Sequence, residues 1–287
     1  MNKKPLQIIS LGAGVQSTAL MIMAERGEIT PKPDFAIFSD TQAELPETYE
    51  HIEKLKKMVS FPIHTITAGN IEEDFLKAVK MDDHRSLVGR PSTPPFHTKY
   101  NGGKGLLFRQ CTRDYKIHPI QAKIKNMLGY KKGQKMPKDV IQAVIWMGIS
   151  YDEIQRMKDA RVHWIKHTFP LIDRKITRQQ CLEYYDKLKL ERPVKSSCYF
   201  CPYKSNAQWK HHKENQPELW KKLVAFDEKI RDGLNTKKSI GRDGKPIKEA
   251  KIYVHGSCKP LKEVDFDKKS NQGKFSFMDE CEGMCGV

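Results

Sequence analysis

The 287-residue sequence contains no apolar run long enough to span a membrane, and its N-terminal apolar segment is too short for a signal peptide. These absences predict a soluble, cytoplasmic protein without a membrane partner. The sequence also contains no internal repeat and no long run of Arg or Lys. Its seven cysteines are odd in number. That count argues against a framework of paired disulfides and favours metal, cluster or thiol chemistry.

Acidic residues are few relative to basic ones. The chain has 51 Lys and Arg residues against 35 Asp and Glu residues, a formal net charge of +16. Such an excess favours a polyanionic partner, and nucleic acid is the predicted one. Because the basic residues form no long run, a surface of scattered, solvated lysines is the alternative interpretation.

The stretch from Leu6 to Met23 has the pattern of a strand, a glycine turn and a helix. Backbone N–H groups and the positive end of a helix dipole meet at such a turn, and glycines let an anion approach the chain closely. The spacing is compatible with a dinucleotide fingerprint, in which Asp40 would hold a ribose. It lacks the lysine of a Walker loop. A plain strand-to-helix turn without a ligand is the third interpretation.

Strands and helices alternate along the first part of the chain. The apolar patterns predict strands at 34–40, 61–66 and 140–147. They predict helices at 46–59, 71–80 and 115–127. Residues 82–105 are rich in Pro, Gly and basic residues and are predicted to form a long functional loop. Alternation of this kind predicts an α/β fold with a parallel sheet. Ligands then belong at the carboxyl ends of the strands, where the glycine turn and Asp40 both fall.

Four segments, in order along the chain, resemble those of 3′-phosphoadenosine-5′-phosphosulfate (PAPS) reductases and related PP-loop enzymes. The sequence FSDTQAELPETY at 38–49 resembles the family's DTG…PET(Y) segment, and RQCTRDYKIHPI at 109–120 resembles its Cys…Lys-x-x-Pro segment. GISYDEIQR at 148–156 is similar to G-x-R-x-x-E-S-x-x-R, and SCYFCP at 197–202 to the C-x-x-C-P of members that carry a cluster or metal. The resemblance implies a Rossmann-like PP-loop domain, a twisted parallel sheet flanked by helices.

This resemblance implies an adenine nucleotide, ATP or a relative, lying across the strand ends, with magnesium as a further candidate cofactor. The residues that would line its phosphates are Ser10, Gly12, Gly14, Gln16 and Ser17. Asp40 and Thr41 would lie beside the nucleotide. Lys116 and Arg156 are candidate phosphate neutralisers, with a surface ion pair as the alternative for each.

The glycine turn and the segment at 148–156 depart from the family pattern. Gln16 replaces the usual Asp, Gly12 replaces the first Ser, and Ser150 stands where an Arg is often found. The backbone N–H groups and the Ser17 hydroxyl remain as donors, so the anion cradle is expected to survive.

Cys198 and Cys201 have the spacing of a zinc or iron–sulfur turn. In cluster-bearing relatives a cysteine corresponding to Cys111 joins this pair. The resemblance therefore implies a [4Fe–4S] cluster on Cys111, Cys198 and Cys201, with one iron open. The alternative is a zinc site completed by Cys258, His211 or His255. Cys181 lies in an apparent helix and is expected to be a buried small hydrophobe.

The chain ends in a tail that carries Cys281 and Cys285. It is similar to the terminal catalytic cysteine segment of PAPS reductases, so both residues are candidate nucleophiles. Neighbouring acidic residues should raise the pKa of a thiol there, which argues against strong activation. A tail with incidental cysteines is the alternative.

The predicted organisation is a nucleotide-binding α/β domain over 1–176, a mainly helical part with the C-x-x-C over 177–265, and the tail over 266–287. The chain is a candidate homodimer.

The predicted function is ATP-dependent sulfur transfer. ATP would adenylylate a nucleic-acid or nucleotide acceptor with release of pyrophosphate, and sulfur from a donor that the sequence does not name would then displace AMP. One alternative is a sulfonucleotide reductase that uses a tail cysteine. The other is a non-catalytic nucleic-acid-binding protein with a structural zinc site.

Overall fold

A computed structural model describes residues 4–80, 94–100, 102–233 and 249–267 of the chain. These residues group into two compact units. Unit 1 contains the chain up to Ala68 and the segment Tyr115–Ser197, and unit 2 contains Gly69–Asp114 and the segment that begins at Cys198. Both units are discontinuous in sequence, whereas the predicted domains are continuous. The division at residue 176 stays a prediction.

Unit 1 is built on a five-stranded sheet in the order β3-β2-β1-β6-β7, and every neighbouring pair is parallel. Its strands are β1 (Leu6–Leu11), β2 (Phe35–Asp40), β3 (Ile63–Thr67), β6 (Ala143–Met147) and β7 (Ile165–Thr168). Its helices are α1 (Val15–Glu25), α2 (Pro46–Met58), α4 (His118–Met127), α5 (Pro170–Asp173) and α6 (Arg178–Lys187), with a 3-10 helix at Tyr151–Arg156. The predicted fold class, a parallel sheet flanked by helices, is confirmed.

Two apolar clusters pack on this sheet. One surrounds α1, whose buried residues Ala19, Leu20 and Met21 contact strand and α6 side chains. The other surrounds α4, where Ile120 and Ile124 are buried. Because a parallel sheet is buried on both faces, its strands read as continuous apolar runs, which is why β1 and β2 are recognisable in the sequence.

Unit 2 contains a three-stranded antiparallel sheet in the order β5-β4-β8. Its elements are α3 (Ile71–Lys80), β4 (His97–Tyr100), β5 (Gly103–Leu106), α7 (Asn206–Asn215), α8 (Pro217–Ile230), β8 (Lys251–Tyr253) and a 3-10 helix at Leu261–Glu263. An aromatic core holds it together: Phe96 lies 5.0 Å from Phe75 and 5.7 Å from Phe226 between ring centroids, and Phe200 stacks on Phe226 at 4.6 Å.

Several expectations need correction. The segment predicted as one long loop contains the hairpin of β4 and β5, while its residues 82–93 lie outside the described part of the chain. The helix predicted at 115–127 is confirmed over His118–Met127, the range of α4, but its first residues belong to a π-helix at Arg113–Ile117. β7 was not predicted. No helix within the described ranges is long and apolar enough to cross a membrane.

Candidate functional site

The turn between β1 and α1 leaves the N-terminus of a buried helix without a side-chain cap. Gly14 is the N-cap residue and makes no side-chain hydrogen bond, and the first helical residues, Val15 to Thr18, are all buried. Ala13 has a φ of 57°, an uncommon conformation for a residue with a side chain. The N–H groups of an uncapped first turn, together with the helix dipole, favour an anionic ligand.

Two buried polar atoms at this turn have no hydrogen-bond partner. They are the Ser10 hydroxyl oxygen, at the end of β1, and the Gln16 side-chain carbonyl oxygen. Ser10 is 4% exposed and Gln16 is fully buried. Because a buried polar atom without a partner costs about 1–3 kcal/mol, such atoms are rare unless a ligand or water completes them. The site therefore has the donor set and the unsatisfied atoms that a polar ligand would use.

The end of β6 packs directly on the first turn of α1. A Cβ atom at Gly148 would lie 2.5 Å from the Cα atom and 2.7 Å from the backbone nitrogen of Ser17. The sheet order changes direction between β1 and β6, since β1 is followed by β2 on one side while β6 and β7 lie on the other. Crevices at such switch points, at the carboxyl ends of the strands, are where α/β folds bind ligands.

A buried polar chain runs from α1 into the 3-10 helix. The Gln16 side-chain amide donates to the Glu153 carboxylate at 3.2 Å and to the Ser150 hydroxyl at 3.5 Å. Glu153 forms an ion pair with Arg156, and their side chains are only 13% and 9% exposed. Arg156, predicted as a phosphate neutraliser or as half of a surface ion pair, is thus half of a largely buried ion pair. Its contact with phosphate stays a prediction.

Asp40 and Thr41 lie at the end of β2, as predicted. The half-buried Asp40 carboxylate accepts hydrogen bonds from the Gln42 backbone N–H at 2.7 Å and from the Tyr49 hydroxyl at 3.0 Å. Burial, and then the Asp40 charge, raise the pKa of Tyr49 above its ordinary value, so this hydroxyl stays protonated and donates. Thr41 is buried and donates to the carboxylate of Glu44 at 3.3 Å.

Lys116 is buried within the π-helix, with 6% of its surface exposed. The Ser39 hydroxyl of β2 donates to the Tyr115 carbonyl oxygen at 2.5 Å, which fixes the π-helix beside the end of that strand. π-Helices are rare and are frequently found at functional sites. The backbone of Lys116 therefore lies at the same edge of the sheet as Asp40 and the β1–α1 turn.

Sequence reasoning missed Glu153, Glu44 and Tyr49 as members of this edge. Glu153 could have been found, because it lies within the segment 148–156 that resembles a family motif. Glu44 and Tyr49 could have been found in the same way, because both lie within the segment 38–49, which also resembles a family motif. Their contacts with Thr41 and Asp40 are seen only in the structure.

The cysteines of the predicted cluster all belong to unit 2. Cys198 and Cys201 share one turn, in which the Cys201 N–H donates to the Cys198 carbonyl oxygen at 2.9 Å, and both are half-buried, as is Cys111. Across the described ranges, however, no three His, Cys, Asp or Glu side chains form a group that could hold a metal ion. In this arrangement the residues fit neither a resident cluster nor zinc, and their ligation of [4Fe–4S] stays a prediction.

The candidate fourth zinc ligands have other contacts. The ring nitrogens of His255 lie 2.9 Å from the Ser257 hydroxyl and 3.0 Å from the Asn206 side-chain oxygen. His211 lies beside Asn215, and the Cys258 sulfur contacts the Thr98 carbonyl oxygen at 3.8 Å. Cys181 is fully buried in the apolar cluster around α1, which confirms its predicted role as a small hydrophobe. Cys281 and Cys285 lie outside the described residues.

Comparison with known proteins gives a distant likeness of architecture. No protein-family model matches the sequence, and no curated protein matches it. Among solved structures, the chain is similar to a phosphoadenylyl-sulfate (PAPS) reductase from Candida auris in a phosphate complex. The two share 16% sequence identity over 67% of this chain and 76% of that one, with a TM-score of 0.41. A likeness at this distance assigns the chain to no family.

Proposed function

We propose that unit 1 binds an adenine nucleotide at the carboxyl edge of its sheet, and that the chain is an ATP-dependent sulfurtransferase acting on a nucleic-acid or nucleotide acceptor. The observation that carries the proposal is the uncapped, buried start of α1 with the unpartnered Ser10 and Gln16 oxygens beside it. An ATP phosphate chain supplies the anion that such a helix start favours. The sugar hydroxyls of the nucleotide supply donors.

The proposed reaction has two balanced steps. An acceptor carbonyl oxygen attacks the α-phosphorus of ATP, the bond to the bridging oxygen breaks, and pyrophosphate leaves. A hydrosulfide donor then attacks the activated carbon, the carbon–oxygen bond breaks, and AMP leaves. Positioned N–H groups and cations stabilise the charge that develops on the phosphates, and Lys116 and Arg156 are the proposed cations.

The other proposed cofactors and the sulfur carriers are supported by fewer observations than the nucleotide site. Asp40, the half-buried carboxylate at the end of β2, would hold magnesium, which would offset the negative charge of the phosphates. Cys198 and Cys201 are proposed as sulfur carriers: one thiolate takes the outer sulfur of a persulfide donor, which leaves as a thiol. The other thiolate then attacks the resulting persulfide at its inner sulfur and releases hydrosulfide, and an external thiol reduces the disulfide that remains. No step above uses an iron–sulfur cluster. The reductase and zinc-protein alternatives have no supporting contact among the described residues.

Calorimetric titration of ATP tests the nucleotide site. Replacing Gly14 with Val adds a branched side chain at the N-cap, where a phosphate would meet the backbone. We expect binding to weaken at least tenfold. Gly103→Ala is the matched control, since a Cβ there makes only an ordinary 3.4 Å contact with the Tyr100 carbonyl oxygen. Equal ATP affinity in Gly14→Val and the wild type would remove the β1–α1 turn as the site.

Detection of pyrophosphate tests the reaction class. We expect release to require ATP together with RNA or DNA, and to fall in Gly14→Val. A protein that binds ATP but releases no pyrophosphate with any nucleic-acid or nucleotide acceptor would exclude adenylylation while leaving the nucleotide site intact.

A further inference from the structure

The sheet of unit 2 places three lysines side by side. In the pairing of β4 with β5, Lys99 is directly opposite Lys104, and in the pairing of β4 with β8 it is directly opposite Lys251. Residues directly opposite each other in antiparallel strands project from the same face, and neighbouring strands lie about 4.8 Å apart. The lysine row, Lys104, Lys99 and Lys251, thus crosses the sheet on one face.

Like charges directly opposite each other destabilise a sheet, so the row needs a compensating anion. Lys251 forms an ion pair with Asp232, and Lys104 donates to the Ser257 carbonyl oxygen at 3.1 Å. That carbonyl carries no net charge. The hairpin segment from Pro94 to Arg109 contains no acidic residue at all. Lys99 and Lys104 are both exposed. Lys99 and Lys104 have no ion pair among the described residues, so the charge of these two members of the row is available to a partner.

Two and four residues after Lys104, the chain exposes large apolar side chains, Leu106 and Phe108. Phe108 is 64% exposed and Leu106 is 54% exposed. Between them, the Leu107 N–H donates to the Phe96 carbonyl oxygen at 2.9 Å, which ties this segment to the fully buried Phe96. The backbone under the Phe108 ring is thus held in place while the ring faces solvent. An exposed aromatic ring next to cations is the combination that binds single-stranded nucleic acid, by stacking on a base while the cations hold phosphates.

β5 is also an edge strand and carries two glycines, Gly103 and Gly105. All four of its residues are exposed. Successive side chains alternate between the two faces of a strand, so these glycines leave the face opposite the lysine row bare, while Lys104 and Leu106 project from the row's own face.

We propose that the β4–β5 hairpin is the binding surface for single-stranded nucleic acid, with Phe108 stacking on an unpaired base and the lysine row holding phosphates. The inference rests on the proposed function in one respect, because it assigns a surface to the nucleic-acid acceptor. It does not depend on the nucleotide site of unit 1.

Fluorescence anisotropy with a labelled single-stranded oligonucleotide, and with the duplex of the same sequence, tests the proposal on the full chain. For Lys99→Ala/Lys104→Ala we expect weaker binding and a salt dependence (log affinity against log salt) shallower by about 1.4, since each phosphate contact to a single strand contributes about 0.7. The control Lys57→Ala/Lys187→Ala removes the same charge from exposed helical positions in unit 1 and should leave the slope unchanged.

Phe108→Ala tests the stacking contact separately. We expect single-strand affinity to fall roughly tenfold with an unchanged salt slope, because stacking releases no counterions. Phe108→Tyr should bind as the wild type does, and Tyr151→Ala, which removes another exposed aromatic ring, should have no effect. ATP titration of every variant should match the wild type.

Three results would overturn the proposal: wild-type affinity and slope in the double lysine variant, tighter binding of the duplex than of the single strand, or a concentration-dependent dimer that Leu106→Lys abolishes. The last would assign the edge strand to pairing with a second copy. Loss of ATP binding with intact oligonucleotide binding would instead count against the nucleotide site alone.

Discussion

The backbone of Ser17 lies so close to Gly148 that any side chain at position 148 would overlap it; a Cβ atom there would be 2.5 Å from the Ser17 Cα atom. This contact joins the end of β6 to the first turn of α1. Because backbone cannot yield as a flexible side chain can, even a methyl group must push α1 away from the strand ends.

Gly148→Ala should therefore weaken ATP binding and destabilise the fold together. We expect about 1–3 kcal/mol lost from the free energy of unfolding, the usual cost of overpacking. Denaturant unfolding and ATP calorimetry measure the two effects. Gly103→Ala, on the edge strand of unit 2, is expected to change neither. A fully stable Gly148→Ala protein would show that α1 is free to move.

The Glu153–Arg156 pair should contribute to stability as a buried pair. Arg156→Met leaves the Glu153 carboxylate in the interior beside Gln16 and is expected to cost about 3 kcal/mol, and adding Glu153→Gln should recover part of that loss. The Glu218–Lys221 pair has the same spacing on an exposed helix surface, with side chains 84% and 73% exposed. Lys221→Met should cost less than about 0.5 kcal/mol. Equal losses in chemical denaturation would contradict the burial of the first pair.

Unit 2 should lose stability as the pH falls below neutrality. Burial is the main cause that lowers the pKa of His97 and of His255 to about 4. A hydrogen bond to the Pro202 backbone opposes this at His97, the Lys104 charge adds to the lowering at both, and His97 adds to it at His255. Unfolded histidines titrate near 6.5, so between about 6.5 and 4 the unfolded chain binds more protons. The stabilisation is complete above 6.5 and is lost progressively down to pH 4.

Urea unfolding followed between pH 7.5 and 4 measures this dependence. His255→Gln should flatten the slope in that window, whereas His211→Gln, at an exposed position on α7, should not. An unchanged slope in His255→Gln would rule out the buried histidine as its source.

The cysteine prediction is tested by chemical analysis of anaerobically purified protein. The resemblance predicts iron with acid-labile sulfide, both abolished by serine at Cys111, Cys198 or Cys201, while Cys181→Ser retains both. The described side chains form no three-ligand group, so cluster binding would require them to rearrange. Protein without iron and sulfide, or Cys111→Ser with a full cluster, would contradict the prediction.

Unit 1 is largely predictable from sequence because its signals are local. β2 and α2 follow from a buried apolar run and helical periodicity, and their observed bounds lie within a residue or so of the predicted ones, as do those of α3 in unit 2. The carboxyl edge follows from parallel topology alone.

What could not be predicted depends on distant partners. Gln16 meets Glu153 across 137 residues, and β4 pairs with β8 late in the chain. β4, β5 and β8 are only three or four residues long and carry lysines and glycines rather than an apolar run. The lysine row exists only through register, which no local pattern encodes.

The pairing of β4 with β8 also has a consequence for synthesis on the ribosome. All five strands of the parallel sheet have been synthesised once Thr168 is added, but β4 must wait for a partner about 150 residues further on. At roughly 5–20 residues per second, that delay is on the order of ten seconds. Throughout it, the nascent hairpin presents two open edges and the exposed Phe108 ring. A chaperone that shields apolar segments, or nucleic acid already bound to the lysines, would protect the emerging chain during this interval.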